Sequence, residues 1–142
     1  MNVITKQFQK STNGFNDMVD ITREIEQFIA DKSLQEGQML VFINGATASI
    51  STVEYEPGLM KDIPEMLEGI APMDKRYHHN DTWHDGNGYA HARSTLMGPM
   101  VVLPVYKNRL VRGTWQQIIL LDFDNRSRTR TITLQFTGMV DN

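Results

Sequence analysis

The sequence predicts an α+β protein, one domain in which two to three helices pack on an antiparallel or mixed β-sheet. Three observations carry this. Apolar residues recur at helical spacing over two long segments, both in the first half of the chain, whereas the second half holds short apolar and β-branched runs separated by turn formers. The length of 142 residues suits one hydrophobic core, and no stretch has linker composition, so the domain is expected to span residues 1–142.

Residues 3–9 alternate loosely and end at Lys10-Ser11-Thr12-Asn13-Gly14, which predicts a first strand and a turn. Ile21, Ile25, Phe28 and Ile29 then fall on one helical face, with Asp20 or Thr22 available as the N-cap and Gly37 beyond the far end. Residues 39–43 form a short apolar strand, residues 48–53 a second, and the two are expected to meet around Asn44-Gly45. Leu59, Ile63, Leu67 and Ile70 mark an amphipathic helix. Pro57 suits its start, and Pro64 must restart or kink it. Residues 71–90 are poor in aliphatic side chains and read as a long connection, a feature that usually carries function. Residues 90–97 predict a short helix stopping at Gly98-Pro99. A β-meander is expected from there: residues 100–106, 110–115, 118–123 and 128–136, with turns at Lys107-Asn108 and Asp124-Asn125.

Composition excludes several classes of function. An apolar share of 40% with 22% charged residues is that of a folded chain, and a net charge of −3 offers no overall attraction to a phosphate backbone or an anionic membrane, so nucleic acid and membrane are not expected as partners. The absence of cysteine removes disulfides, thiolate ligands and cysteine nucleophiles, which favours an intracellular address. The first residues show no basic head before a long apolar run, so a cytoplasmic location is expected. Gly-x-Ser-x-Gly is absent, and with it any sign of serine hydrolysis.

The strongest local signal is that all four histidines, His78, His79, His84 and His91, lie within fourteen residues, interleaved with Asp81 and Asp85. Imidazole and carboxylate are the ordinary ligands of zinc and related ions, and a site needs three or four of them converging. A solvated turn would have a similar composition. His91 and Arg93, near the start of the predicted helix with Ser94 and Thr95, suit the binding of a phosphate or carboxylate through a guanidinium and free amides; a surface arginine beside a helix cap is the plainer reading. Arg126, Arg128 and Arg130, with Arg109 and Arg112 two strands earlier, could form a basic patch on neighbouring strands; a solvated face is the plainer reading. Trp115 is assigned by default to packing, in the core or at an interface. Glu54 and Glu56 have carboxylates suited to acid–base work, and also a simple solvation and dipole explanation.

The order of motifs resembles the YjbQ family over almost the whole chain. It runs through Thr47-Ala48-Ser49-Ile50 with Glu54 downstream, Tyr77-His78-His79-Asn80, and Gly88-Tyr89-Ala90-His91-Ala92-Arg93-Ser94. Gly113-Thr114-Trp115-Gln116-Gln117 and the Asp124-Asn125-Arg126 turn complete it. The resemblance implies a β-sandwich-based α+β fold, a homotrimer, and a cleft of histidines and acidic residues. It also implies an activity similar to secondary thiamine-phosphate synthases, in which a pyrimidine diphosphate is joined to a thiazole phosphate with release of diphosphate. On that basis the catalytic residues are expected to be His79, His91, Asp85 and Glu54, the anion-binding residues Arg93, Ser94 and Arg126, and the ligands of a divalent ion, zinc or magnesium, His79, His84 and His91. One departure stands out. The family's first motif begins with a histidine where this chain has Gly45, and His84 or Asp85 is expected to fill in. The alternative function is a non-catalytic trimeric binder of a small anionic metabolite; a third reading places the polar loop at a three-fold interface with a structural role only.

Overall fold

The computed structural model describes residues 1–141. Strand β1 (Asn2–Thr12) turns into β2 (Asp17–Asp20), and α1 (Thr22–Asp31), β3 (Leu34–Ile43) and β4 (Ala48–Val53) follow. Three helices come next, α2 (Leu59–Ile70), α3 (His78–Trp83) and α4 (Gly88–Met97), then β5 (Met100–Tyr106), β6 (Arg109–Leu110), β7 (Gln117–Asp122) and β8 (Arg128–Val140). The strands form two antiparallel sheets, a larger one of order β1-β8-β3-β5-β6 and a smaller one of order β2-β7-β4. This is the α+β sandwich expected, with one helix more.

β7 shows how the layers are stacked. Its unbroken apolar run has both faces covered, so it does not alternate with polar residues as a half-solvated strand does. Ile118 and Leu120 point into the space between the sheets, among Val41 and Met39 of β3, Leu134 of β8 and Phe28 of α1. Ile119, Leu121 and Phe123 point the other way, where Leu67 of α2 and Tyr89 and Ala90 of α4 cover them. The order of layers is therefore larger sheet, smaller sheet, helices α2 and α4, with α1 closing the first core at its side. Fully burying each large aliphatic or aromatic side chain contributes roughly 1.5–3 kcal/mol, which is why these elements hold despite short connections.

Several expectations are corrected. The meander does not form, because β7 belongs to the smaller sheet and β8 inserts between β1 and β3. β3 and β4 lie in different sheets rather than meeting as a hairpin. The strand expected over residues 110–115 shrinks to β6, and Trp115 stands 72% exposed instead of packing in the core. The side chain of neither Asp20 nor Thr22 caps α1 in the usual way, although the Asp20 carboxylate accepts the Thr22 amide at 3.0 Å. α2 is initiated by Glu56, whose carboxylate accepts the amides of Gly58 and Leu59, and it runs through Pro64 without ending there. The connection over residues 71–90 contains the extra helix, α3. Among the described residues no helix is long and apolar enough to cross a membrane.

Candidate functional site

The site lies at the end of the smaller sheet where β4 begins and β7 finishes. Alternate positions there carry charge where the strand pattern would lead one to expect apolar residues. Asp122 and Asp124 are both fully buried, and such carboxylates persist only when paired and hydrogen-bonded. Asp122 receives Arg130 through Nε at 2.7 Å and Nη2 at 2.8 Å, and the Thr12 hydroxyl at 2.5 Å. Asp124 receives Arg128 through Nε at 2.8 Å and the Thr47 hydroxyl at 3.0 Å; Thr47 Oγ1 in turn accepts from Arg130 Nη2 at 2.7 Å. Burial pushes the Asp124 carboxyl up, but the Asn125 amide and Arg128 outweigh it and hold the group below the usual carboxylate range.

On this frame sit α3 and α4. Gly88 opens α4 because nothing larger fits: a Cβ there would lie 2.5 Å from the Tyr77 Cβ, and the Gly88 amide donates to Asn80 Oδ1 at 2.9 Å. This close approach brings the His79 ring of α3 and the His91 ring of α4 to a centroid separation of 4.2 Å, tilted by 46°. Asp85 Oδ1 is 3.4 Å from His79 Nε2. The buried Asn87 joins this pair to the frame, its amide 3.1 Å from His79 Nε2 on one side and 3.3 Å from Asp124 Oδ1 on the other. Turning the amide over directs its nitrogen to Asp85 at 2.8 Å instead, so Asn87 serves Asp85 or Asp124 but not both. Burial, assisted by the neighbouring His79, lowers the His91 pKa below its ordinary value against the opposite pull of Asp85 and Asp124. His91 is therefore a neutral imidazole at pH 7.

The other expected site residues are distributed differently. His84 caps α3 in a left-handed conformation and is exposed, so the trio His79, His84 and His91 is not assembled. Among the described residues no three His, Asp or Glu side chains converge on a point that would hold a metal ion. Arg93 is fully buried and engaged by Ala71 O at 3.0 Å, Asn16 Oδ1 at 2.8 Å and Glu68 Oε2 at 2.7 Å, over the Tyr89 ring. Ser94 Oγ donates to Ala48 O at 2.6 Å. Both thus fasten α4 to its surroundings and face no ligand within this subunit. Arg126 is exposed. Arg128 pairs with Asp124, Arg130 pairs with Asp122 through Nε and Nη2, and Arg112 pairs with Glu26 at 3.0 Å, so the five arginines form no common patch. Glu54 follows the far end of β4, seven residues from Thr47, roughly 20 Å of extended chain at the usual rise per residue. It lines a shallow hollow with Trp115 instead. A concavity of about 470 Å³ between α1 and β6 holds Arg109 and Arg112 but no paired titratable groups comparable to the histidines.

Asp122, Asp124, Asn87 and Arg130 form the frame of the candidate site, which the sequence reading missed as a unit. The available signal was Asp-x-Asp followed by Arg-x-Arg at strand spacing, on strands otherwise apolar on that side.

The fold and the site together define a class: a small α+β sandwich with a histidine–carboxylate cleft mounted on a buried aspartate–arginine frame. Residues 6–139 match the family described as UPF0047 protein YjbQ-like, and the chain belongs to that family. A UPF0047 protein of Archaeoglobus fulgidus is 36% identical over 119 residues, 84% of this chain and 90% of that one. UPF0047 protein YugU of Bacillus subtilis is 33% identical over 134 residues, 94% of this chain and 98% of that one. Among solved structures, a YbjQ-like protein of unknown function from Sulfolobus solfataricus P2 superposes with a TM-score of 0.91 at 34% identity, covering 97% of this chain and 99% of that one. A hypothetical protein from Aeropyrum pernix K1 gives 0.88 at 31% identity, covering 96% and 99%.

Proposed function

We propose that the cleft at His79, His91 and Asp85 binds a small anionic metabolite and performs acid–base chemistry on it. The first reaction to assay is the one the family resemblance implies, joining a pyrimidine diphosphate to a thiazole phosphate. The observation that carries this reading is the His79–His91 pair, with His91 held neutral by burial and Asp85 beside its partner. A neutral imidazole in a partly buried cleft is a proton acceptor at pH 7, and a second imidazole in contact can hold or pass the proton. Departing diphosphate requires charge neutralisation. A divalent ion, zinc or magnesium, belongs to this proposal only as something to be tested by chelation. A cytoplasmic homotrimer completes the proposal, to be checked by size exclusion with mass measurement.

The test is thiamine-phosphate formation by the purified protein with added Mg²⁺ or Zn²⁺, beside His79→Ala and a chelator control. Product lost in His79→Ala supports chemistry at this cleft, and loss on chelation adds the metal. No product from folded, metal-supplemented protein rejects that reaction. The second reading, a non-catalytic binder of the same kind of metabolite, is favoured by Gly45, which supplies no side chain where the family pattern has a histidine. It predicts thermal stabilisation by ligand that follows RT ln(1 + [L]/Kd), without turnover.

A further inference from the structure

Gly45 lies in the bend between β3 and β4, directly over Arg130. A Cβ built at position 45 would stand 2.8 Å from Arg130 Nη1, so any side chain there would press on the guanidinium. Arg130 itself is 7% exposed. Its Nε and Nη2 are taken by Asp122 and Thr47, with Asp124 at 3.8 Å from Nη2. Nη1 donates to no group among the described residues, and it faces the one position in the bend that lacks a side chain. An arginine carries five N–H donors in a rigid fork, and two of them are on Nη1. The bend adds more donors. The amides of Gly45, Ala46 and Thr47, three in succession, reach no acceptor among the described residues. Thr47 is buried, and buried amides are nearly always paired.

We infer that Gly45 opens a phosphate-binding notch, in which Arg130 Nη1 and the amides of the 45–47 bend hold a phosphate group of the ligand. Successive backbone N–H groups and a guanidinium edge are the donors that phosphate oxygens use, and the guanidinium is already oriented by Asp122, so little order is lost on binding. The aspartates balance the charges of Arg128 and Arg130, which leaves the notch suited to a singly or doubly charged group rather than a polyanion. It lies at the cleft: Arg130 Nη2 bonds Thr47, Thr47 bonds Asp124, and Asn87 is 3.3 Å from Asp124 and 3.1 Å from His79. The inference rests on reading this end of the sheet as an anionic-ligand site. It replaces Arg93 and Ser94, which are occupied elsewhere, as the groups that hold phosphate.

The experiment is titration of the full-length protein with inorganic phosphate by calorimetry, for the wild type and Gly45→Ala, with acetate as comparison. Saturable phosphate binding that weakens about tenfold or more in folded Gly45→Ala is the expected result. Equal binding by folded Gly45→Ala, no saturable binding by the wild type, or tighter binding of acetate than of phosphate would each overturn the notch. Should Gly45→Ala fail to fold, the wild-type amide resonances of Gly45 and Ala46 decide: they shift on phosphate addition if the notch exists and stay in place if it does not. Phosphate bound with Gly45 dependence but without turnover in the synthase assay removes the chemistry and leaves the notch standing. Turnover without phosphate binding at Gly45 does the reverse.

Discussion

The two ends of the smaller sheet share β4 and β7 and differ in almost everything else. At one end β4 starts and β7 finishes among fully buried aspartates, two arginines and two threonines, each charge answered by an opposite one. At the other end, past Val53 and before Gln117, the chain enters loops that carry Glu54 and Trp115 into solvent. The first end can position a reacting group, because its side chains are locked by packing and by one another. The second has hydrogen bonds such as Gln116 to Thr52 at 3.2 Å, but these are exposed and fix little. Fixed side-chain geometry therefore belongs to the end where burial has already been compensated.

The difference can be broken most severely at Asp122. Asp122→Ala leaves Arg130 buried without its counter-charge and is expected to cost roughly 3–5 kcal/mol, read as a large fall in the midpoint of thermal or urea unfolding. A loss below ~1 kcal/mol would mean that the frame does not hold the site. Gly88→Ala comes second. Its new methyl meets Tyr77 and forces α3 from α4, with an expected destabilisation of about 1–3 kcal/mol by urea denaturation and a changed environment for the His79 and His91 resonances. Unchanged histidine signals would show that Gly88 does not set their spacing.

The third test is pH. The pKa of His91 is lowered in the fold, so the unfolded chain takes up the proton first as pH falls. Stability from this group is complete above its ordinary value of 6.5 and declines as pH drops from there toward the depressed folded value. Asp124, also depressed, keeps its contribution above its ordinary value of 3.8 and loses it only below that, as pH falls toward the lower folded value. Thermal melts across the acid range should thus show two separate declines, and His91→Gln should abolish the upper component assigned to His91; an unchanged profile in that variant would assign the decline to other groups. The smallest effect is expected at the open end, where Trp115→Ala should change monomer stability by no more than about 0.5 kcal/mol. A larger loss would show that the exposed tryptophan is covered in solution.

Helices α1 and α2 were legible in the sequence because their apolar spacing is regular, and α4 because it stops at Gly98-Pro99. The pairing of β7 and β8 was not. Continuous apolar runs such as Ile118 to Leu121 announce burial on both faces without saying which sheet receives them. The histidine cluster was legible as a polar, chemically loaded stretch, and two of its members do meet. That His84 would be excluded depended on a single left-handed residue at the end of α3, which composition does not reveal. Arg93 was misread for a related reason. A helix-borne arginine looks the same whether it faces a ligand or is tied down by Asn16, Ala71 and Glu68, and only the fold brings those three distant residues to it.

β8 occupies a middle position in the larger sheet, with β1 on one side and β3 on the other, yet it comes from the far end of the described sequence. Until it is inserted, β1 and β3 have no shared partner, and each presents a row of unsatisfied amides and carbonyls able to pair with another molecule. Pairing across such sequence distance is slow. The same strand brings Arg128 and Arg130, so the aspartates of β7 and its adjoining turn stay without counter-charges for as long as the sheet stays open. Closing the larger sheet and pairing the buried aspartates are therefore one structural event, both carried by β8.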